Sequence, residues 1–428
     1  MNDRIAIETC GPIRASIRPP GSKSLTNRAL ACAALASGRS TLTGALDSED
    51  TRVMCESLRR LGIHVACDWD AATIVVDGCG GRIPVAEADL FVANSGTSIR
   101  FLAAMVSAAR GRFRLDGIER MRQRPIGDLL AALNQLGARA TSETGNDCPP
   151  VVIEASGLRG GTTRVRGDIS SQFLSGLLMA VPYADSSVTI EVDGDLVSKP
   201  YVEMTLAVMR SFGVEVDAAE DLRRFSIAAP TAYTGRQYSI EPDASAASYF
   251  WAAAAISGGE VTVEGLTPDA LQGDVAFCDC LRAMGCEVTA SADGIMVRGG
   301  RLRGIDVDMN AISDTVQTLG AVALFAEGPT TITNVGHIRH KETDRIGDLA
   351  RELRKFGATV DESSDGLRIT PPESGLHGAE IETYNDHRMA MSLALVGLRT
   401  PGVVILNPRC TEKTYPRFFE DLRRVCGR

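Results

Sequence analysis

An amphipathic helix ending in an apolar residue followed by glycine recurs along this chain. It reads Leu58-Arg59-Arg60-Leu61-Gly62, Leu133-Asn134-Gln135-Leu136-Gly137, Met209-Arg210-Ser211-Phe212-Gly213, Leu281-Arg282-Ala283-Met284-Gly285 and Leu353-Arg354-Lys355-Phe356-Gly357. A degenerate sixth copy, Leu422-Arg423-Arg424-Val425-Cys426, closes the sequence. The spacing of roughly 70 to 76 residues marks internal repetition. The glycines suit the position just past a helix end, where the backbone turns left-handed. After each full copy, alternating apolar residues predict a β-hairpin, as in Ala358-Thr359-Val360 followed by Gly366-Leu367-Arg368-Ile369-Thr370. Between copies an Ala-rich second helix is predicted, starting near Ser24, Gly96, Ser171, Ser245, Asp314 and Asp386. Each runs into a short strand, such as Phe113-Arg114-Leu115 or Val188-Thr189-Ile190. The fold class is therefore α/β, built from six repeats of two helices and about four strands.

The last copy stops at its helix, while Arg4 to Thr9 and Arg14 to Arg18 form a hairpin with no helix before it. The simplest closure gives that N-terminal hairpin to the sixth unit. Three units then form one domain over residues 21 to 240, and three form a discontinuous domain of residues 1 to 20 and 241 to 428. The crossings near Pro20 and Pro242 are expected to act as hinges, with the active site in the cleft between the domains.

With 428 residues the chain has room for such cores. Its 23% charged and 44% hydrophobic content is that of an ordinary globular protein. A net charge of −9 argues against a general nucleic-acid partner, so any cationic site must be a local concentration of Lys and Arg. The N-terminal Met1-Asn2-Asp3-Arg4-Ile5-Ala6-Ile7 has no apolar signal core, and no apolar run reaches the roughly 18 residues of a membrane span. The expectation is a cytoplasmic monomer without membrane contact. Eleven cysteines lack a C-x-x-C pair and read as reduced core residues.

Chemistry gathers where the Ala-rich helices begin. These starts read Ser22-Lys23-Ser24, Asn94-Ser95-Gly96-Thr97, Ser170-Ser171-Gln172, Asp243-Ala244-Ser245, Ser313-Asp314 and Asn385-Asp386-His387-Arg388. Hydroxyl and acidic residues there can cap free amides, and each helix start attracts an anion by about 0.3 to 1 kcal/mol. Caps explain the Ser, Asp and Asn, but not the neighbouring Lys and Arg. The first start, Pro20-Gly21-Ser22-Lys23-Ser24-Leu25-Thr26-Asn27-Arg28, is not a nucleotide P-loop, because no Gly precedes Lys23 at the required place. More cations lie in Met121-Arg122-Gln123-Arg124-Pro125, in Arg339-His340-Lys341-Glu342-Thr343-Asp344-Arg345 and at Lys413. His337, His340 and Glu342 lack the further ligands a metal site requires, so no metal and no cofactor are expected.

Six of these motifs, Gly21 to Arg28, Asn94 to Thr97, Arg122 to Pro125, Ser170-Ser171-Gln172-Phe173-Leu174, Lys341 to Arg345 and Asn385-Asp386-His387-Arg388-Met389-Ala390, occur in the order of one family's signatures. The chain resembles, end to end, the 5-enolpyruvylshikimate-3-phosphate synthases of the enolpyruvyl transferase family. The resemblance implies two inside-out α/β barrel domains of three repeats each. It implies that Lys23, Ser24, Arg28, Ser170, Ser171, Gln172 and Ser198 bind shikimate 3-phosphate, with Asp314, His337 and Lys341 on its hydroxyls or phosphate and Tyr201 near its ring. Lys23, Gly96, Arg124, Gln172, Arg345, Arg388 and Lys413 would hold phosphoenolpyruvate, and Asp314, Lys341, Glu342 and Lys23 would be catalytic. His337 departs from the Asn common at its position, and Thr97-Ser98-Ile99-Arg100-Phe101 departs from the usual residues after Gly96. The missing side chain of Gly96 also predicts inhibition by glyphosate.

The residues suit that chemistry. Two substrates that each carry a phosphate and a carboxylate demand several fixed cations, and Arg recognises both groups at two points. Addition of the 5-hydroxyl needs a base, here Asp314, and protonation of the methylene carbon needs an acid, here Glu342 with Lys341. The alternatives are the sister transferase acting on UDP-N-acetylglucosamine, whose loop cysteine has no counterpart between Met121 and Pro125, and a non-enzymatic repeat protein that binds polyanions.

Overall fold

The computed structural model describes residues 3–428. Two residues of the N-terminal stretch read above for a signal core, Met1 and Asn2, lie outside the described residues. The chain divides into two compact units, one of Gly21–Ile240 and one joining the N-terminal stretch up to Pro20 with Glu241–Arg428. Among the described residues, no helix is long and apolar enough to cross a membrane.

In the unit of Gly21–Ile240 the helices are α1 (Lys23–Leu35), α2 (Glu49–Arg60), α3 (Gly96–Ser107), α4 (Gly127–Gln135), α5 (Ser171–Ala180) and α6 (Lys199–Ser211). The other unit carries α7 (Ala244–Ser257), α8 (Phe277–Ala283), α9 (Val316–Ala323), α10 (Gly347–Arg354), α11 (His387–Ala394) and α12 (Phe418–Val425). Every residue of α3, α7, α9 and α11 is buried, and apart from Arg100, Gln317, His387 and Arg388 these helices are apolar or small all round. The charged helices instead bury one stripe, as α2 does with Met54, Cys55 and Leu58. Gly62, Gly137, Gly213, Gly285 and Gly357 follow their helices with φ between 80° and 109°. The sixth helix differs from the expected alignment. It is capped at Cys426 and its left-handed residue is Gly427, φ 78°, so the glycine is present one position later than the motif comparison allowed.

Among the described residues the strands form six sheets, three in each unit. In the second, Arg110–Asp116 pairs in parallel with Glu87–Phe91 on one side and antiparallel with Val151–Ser156 on the other, which pairs with Arg139–Ser142. Four further sheets repeat that order of one parallel neighbour and one antiparallel hairpin. The sixth has three strands. Helices and sheets enclose one apolar core per unit.

The N-terminal strands do not form the expected hairpin. Arg4–Ala6 pairs antiparallel with Val404–Leu406 in the sixth sheet, whereas Arg14–Ile17 pairs in parallel with Glu260–Glu264 in the fourth. The physical reason is that each four-stranded sheet needs a parallel edge strand, which in three of them is the strand just before it in the chain but in the first and fourth comes from elsewhere. Arg14–Ile17 fills that edge in the fourth sheet, as Gln237–Ser239 does beside Ser37–Thr43 in the first.

Gly259 makes the fourth-sheet junction possible. A Cβ there would lie 2.1 Å from the Ile13 carbonyl oxygen and 2.2 Å from its nitrogen. That oxygen accepts the Glu260 amide at 2.6 Å. Gly259→Ala is therefore expected to destabilise the protein by about 1–3 kcal/mol, as overpacking against fixed backbone does. Urea unfolding reads this as a lower midpoint, and an unchanged midpoint would contradict the proposed joint.

Candidate functional site

The side chains singled out from the sequence form two clusters, one within each unit. In the unit of Gly21–Ile240, Ser22 caps α1 by accepting the Leu25 amide at 3.3 Å, and Ser95 caps α3 by accepting that of Ser98 at 3.4 Å. Ser170 does the same for α5 with the Gln172 amide at 3.3 Å. α3 packs on α5, α5 on α6, and α1 on both α3 and α6, so these helix starts share one end of the unit. Asn27 Nδ2 donates to Thr97 Oγ1 at 2.8 Å, tying α1 to α3.

Two arginines lock this arrangement. Arg28 is fully buried. It donates from Nε to Thr205 Oγ1 at 2.7 Å, from Nη1 to the Ser24 carbonyl at 3.0 Å and from Nη2 to the Tyr201 carbonyl at 3.0 Å and Ser175 Oγ at 3.4 Å. All four acceptors are neutral. Its guanidinium lies between the rings of Phe101 and Tyr201, at 5.3 and 5.9 Å. Burial lowers its pKa to about 10, which still leaves it charged at neutral pH. Arg100 repeats the motif one helix on. Its Nη1 donates to the Gly96 carbonyl at 3.1 Å and to Gln172 Oε1 at 3.1 Å, and its Nη2 to the Pro125 carbonyl at 2.8 Å.

Arg100 thus joins Gly96, Gln172 and the turn that carries Arg124. Arg124 is buried and donates from Nη1 to the Asn94 carbonyl at 3.0 Å. A Cβ on Gly96 would sit 2.4 Å from Arg124 Nη2 and 2.7 Å from Arg100 Nη1. Lys23, on the first turn of α1, pairs with the buried Asp50 of α2 at 3.3 Å. Ser198 precedes α6 with φ 53°, a left-handed conformation unusual for a residue with a side chain.

The second cluster centres on Asp314. Asp314 lies in the single 3-10 turn Ser313–Thr315 ahead of α9, a helix whose N-cap residue, Thr315, makes no side-chain cap bond. Its carboxylate instead accepts from Lys341 at 2.6 Å, Arg388 at 2.7 Å and Arg345 at 3.2 Å. Arg345, 1% exposed, also meets Asp386 at 2.7 Å and Glu342 at 2.8 Å, while Lys413 lies 3.8 Å from Glu342. Asp386 caps α11 through the Arg388 amide at 2.9 Å. Tyr384 and Asn385, both left-handed, form the turn into that cap.

Electrostatics follows from this interleaving of four cations with three carboxylates. Burial by itself would raise the Asp314 pKa, but Arg388, Lys341 and Arg345 together hold it well below the usual range. Burial and then the arginines push Lys341 downward against the pull of Asp314. His337 Nε2 lies 3.0 Å from Ser313 Oγ, and burial reinforced by Lys341 lowers its pKa to about 3. Asp274 is raised to about 6, first by burial and then by Asp314, although Ser245 donates a hydrogen bond to it.

Not every residue of the charged motifs belongs to these clusters. Arg122 pairs with Asp116 at 2.7 Å on a half-exposed surface, and Arg339 with Asp344 and Glu362. Among the described residues, no group of three His, Cys, Asp or Glu could hold a metal ion. Asp50, Arg100, Asp274 and Asp386 were not among the sequence candidates for the site. Arg100 had a signal, because it stands four residues after Gly96 as Arg28 stands four after Ser24. Asp386 was legible only as a cap.

A family model described as EPSP synthase (3-phosphoshikimate 1-carboxyvinyltransferase) matches residues 7–422. A 3-phosphoshikimate 1-carboxyvinyltransferase of Trichormus variabilis is 48% identical over 99% of this chain and 100% of its own length. One of Shewanella amazonensis is 47% identical over 97% of each. Among solved structures, EPSP synthase from Acinetobacter baumannii superposes with a TM-score of 0.82 at 26% identity, covering 99% of this chain and 98% of that one. With a family model spanning nearly its whole length and relatives near half identity, the chain belongs to the EPSP synthase family.

Proposed function

We propose that this protein transfers the enolpyruvyl group of phosphoenolpyruvate to the 5-hydroxyl of shikimate 3-phosphate, releasing phosphate. The reaction belongs to the shikimate pathway and serves aromatic amino-acid biosynthesis. The observation that carries the reading is the pair of cationic clusters, each assembled from residues of this family's motifs. The finer picture follows the same reading: six repeats, two inside-out domains hinged near residues 20 and 241, and substrates held in the cleft between them. It takes the protein to be a cytoplasmic monomer that works on small molecules, without metal, cofactor, nucleic acid or membrane.

In this reading Lys23, Ser24, Arg28, Ser170, Ser171, Gln172, Ser198 and Tyr201 bind shikimate 3-phosphate, completed by Asp314, His337 and Lys341. Lys23, Gly96, Arg124, Gln172, Arg345, Arg388 and Lys413 hold phosphoenolpyruvate. Asp314 takes the proton of the 5-hydroxyl as its oxygen bonds to C2, and Lys341 or Glu342 protonates C3. Elimination then removes a C3 proton and breaks the bond from C2 to the phosphate oxygen, and phosphate leaves protonated. Three cations on Asp314 make it a weak base without substrate. An arriving carboxylate and phosphate compete for Arg345, Arg388 and Lys341, and each cation drawn away restores basicity to Asp314. Substrate anions thus switch on the base that acts on them. Closure around the pair strengthens every contact by excluding water.

Released phosphate tests the proposal directly. It is expected only when both substrates are present, with EDTA added, and the Lys23→Ala variant should fold normally yet turn over roughly a hundred-fold more slowly. Stoichiometric binding of both substrates without phosphate release would favour the polyanion-binding alternative. Phosphate release with UDP-N-acetylglucosamine as acceptor would favour the sister transferase.

Gly96→Ala presses a methyl group on Arg124, which its bond to the Asn94 carbonyl prevents from moving aside freely. The KM for phosphoenolpyruvate should rise roughly ten- to a hundred-fold, and glyphosate inhibition should weaken with it. Kinetics showing an unchanged KM and unchanged inhibition would refute the steric role of Gly96.

His337 should stay neutral between about pH 5 and pH 8, because its folded pKa lies far below that of a free imidazole. Below the unfolded pKa of about 6.5 the unfolded chain binds a proton there that the folded one does not, so stability is lost progressively as pH falls from about 6.5 through the folded pKa of about 3. A proton NMR titration checks this, and a His337 signal that moves with a midpoint near 6.5 would contradict it.

A further inference from the structure

The residue that precedes the recurring Leu-x-x-apolar-Gly helix end is Ser57, Ala132, Val208 and Cys280 in the first four copies, but Glu352 and Asp421 in the last two. Both acids are buried, Glu352 on α10 and Asp421 on α12. Each accepts a tyrosine hydroxyl at 2.7 Å, Glu352 from Tyr384 and Asp421 from Tyr415. Each also pairs at 2.7 Å with a cation three residues on, Lys355 or Arg424. The same contact is therefore built twice, at corresponding places in the two repeats that supply Lys341, Arg345, Arg388 and Lys413.

What each tyrosine carries is specific. Tyr384 and Asn385 have φ of 52° and 56°, a left-handed backbone that costs roughly 1–2 kcal/mol per residue and persists only where its surroundings enforce it. Asp386 and Arg388 follow directly. Glu352 grips this turn at two points, since its Oε2 also accepts the Glu382 amide at 2.9 Å. Arg351, stacked on the Tyr384 ring at 5.6 Å, donates to the phenol oxygen at 3.1 Å and to Asp348 at 2.6 Å. Asp348 in turn accepts the hydroxyl of Thr343, which stands between Glu342 and Asp344. One face of α10 thus holds both segments that meet at Arg345. On α12, Asp421 holds Tyr415, two residues beyond Lys413 and just past the 3-10 turn Pro408–Lys413.

We propose that these two phenol–carboxyl pairs are positioning devices for enolpyruvyl transfer: Glu352 with Tyr384 fixes the place of Arg388, and Asp421 with Tyr415 fixes that of Lys413. The inference rests on the reading above, in which both cations hold phosphoenolpyruvate. Glu352 and Asp421 act through those cations, whose long side chains lose less freedom on binding when the backbone beneath them is already set. Burial raises the Tyr384 phenol to about 12 against the pull of Arg351, so at neutral pH it keeps the proton it donates to Glu352. Burial and then Asp421 push Tyr415 upward as well.

Tyr384→Phe and Tyr415→Phe keep each ring and remove only the hydroxyl. In each, the KM for phosphoenolpyruvate is expected to rise roughly ten-fold while that for shikimate 3-phosphate stays nearly unchanged. Tyr384→Phe combined with Glu352→Gln should cost little more than the worse single change, because both break one contact. Gly259→Ala, destabilised elsewhere, should keep both KM values and so separates misplacement from general loss of stability. Hydrogen exchange of the free protein gives a readout independent of turnover: in Tyr384→Phe the amides of residues 382 to 388 should exchange several-fold faster, with those of α2 unchanged. An unaltered exchange rate, or an equal rise in both KM values, would overturn the proposal. Faster exchange with an unchanged KM for phosphoenolpyruvate would also overturn it, leaving a contact that only stabilises the fold. If the unaltered protein released no phosphate, the transfer reading would fail, and exchange would still decide whether the tyrosine holds the turn.

Discussion

A guanidinium taken out of water must be given acceptors, and that constraint shapes both clusters of candidate residues. Leaving such a charge unpaired in a protein interior costs several kcal/mol. The chain meets the requirement in two chemically different ways. Arg28 is surrounded by carbonyl and hydroxyl oxygens from α1, α5 and α6, which satisfy its donors but leave its charge in place. Arg345 is instead surrounded by Asp314, Glu342 and Asp386, which cancel its charge as well. The first environment keeps a standing positive potential at the helix starts. The second is a network in which each cation already faces a carboxylate, so its charges largely balance on the spot.

Much of this was legible in the chain, for reasons that are local. Five of the Ala-rich helices, α1, α3, α5, α7 and α11, begin at a Ser or Asp that caps them, because capping involves a residue and the amides two or three positions on, whereas α9 begins without a side-chain cap. The glycines at 62, 137, 213, 285 and 357 mark helix ends because the left-handed backbone there penalises other residues. Arg124, Lys341, Arg345 and Arg388 could be singled out because cations beside capping residues exceed what capping needs.

What could not be read depends on contacts between distant residues. Nothing near Lys23 indicates that Asp50 will be its partner, since the pairing arises from α2 packing beside α1. The depressed pKa of His337 comes from burial and from Lys341 above the turn, neither of which a lone histidine in a sequence discloses. Strand partnership failed for the same reason. Arg4–Ala6 and Arg14–Ile17 look like a hairpin because they are neighbours, yet each finds a partner more than two hundred residues away. Arg100 is the instructive middle case, because its spacing from Gly96 matches that of Arg28 from Ser24 and a comparison of repeats would have found it.

The placement of those two strands has a consequence for how the protein is made. Residues 21 to 240 carry all the strands of their own three sheets, including the closing edge Gln237–Ser239, so that unit can complete itself while the ribosome is still translating the remainder. The other unit cannot. Its first two strands emerge before residues 21 to 240 and stay without these partners until Glu260–Glu264 and finally Val404–Leu406 have left the exit tunnel. Biogenesis is therefore asymmetric, with an early autonomous half and a late half whose oldest and newest segments are joined last.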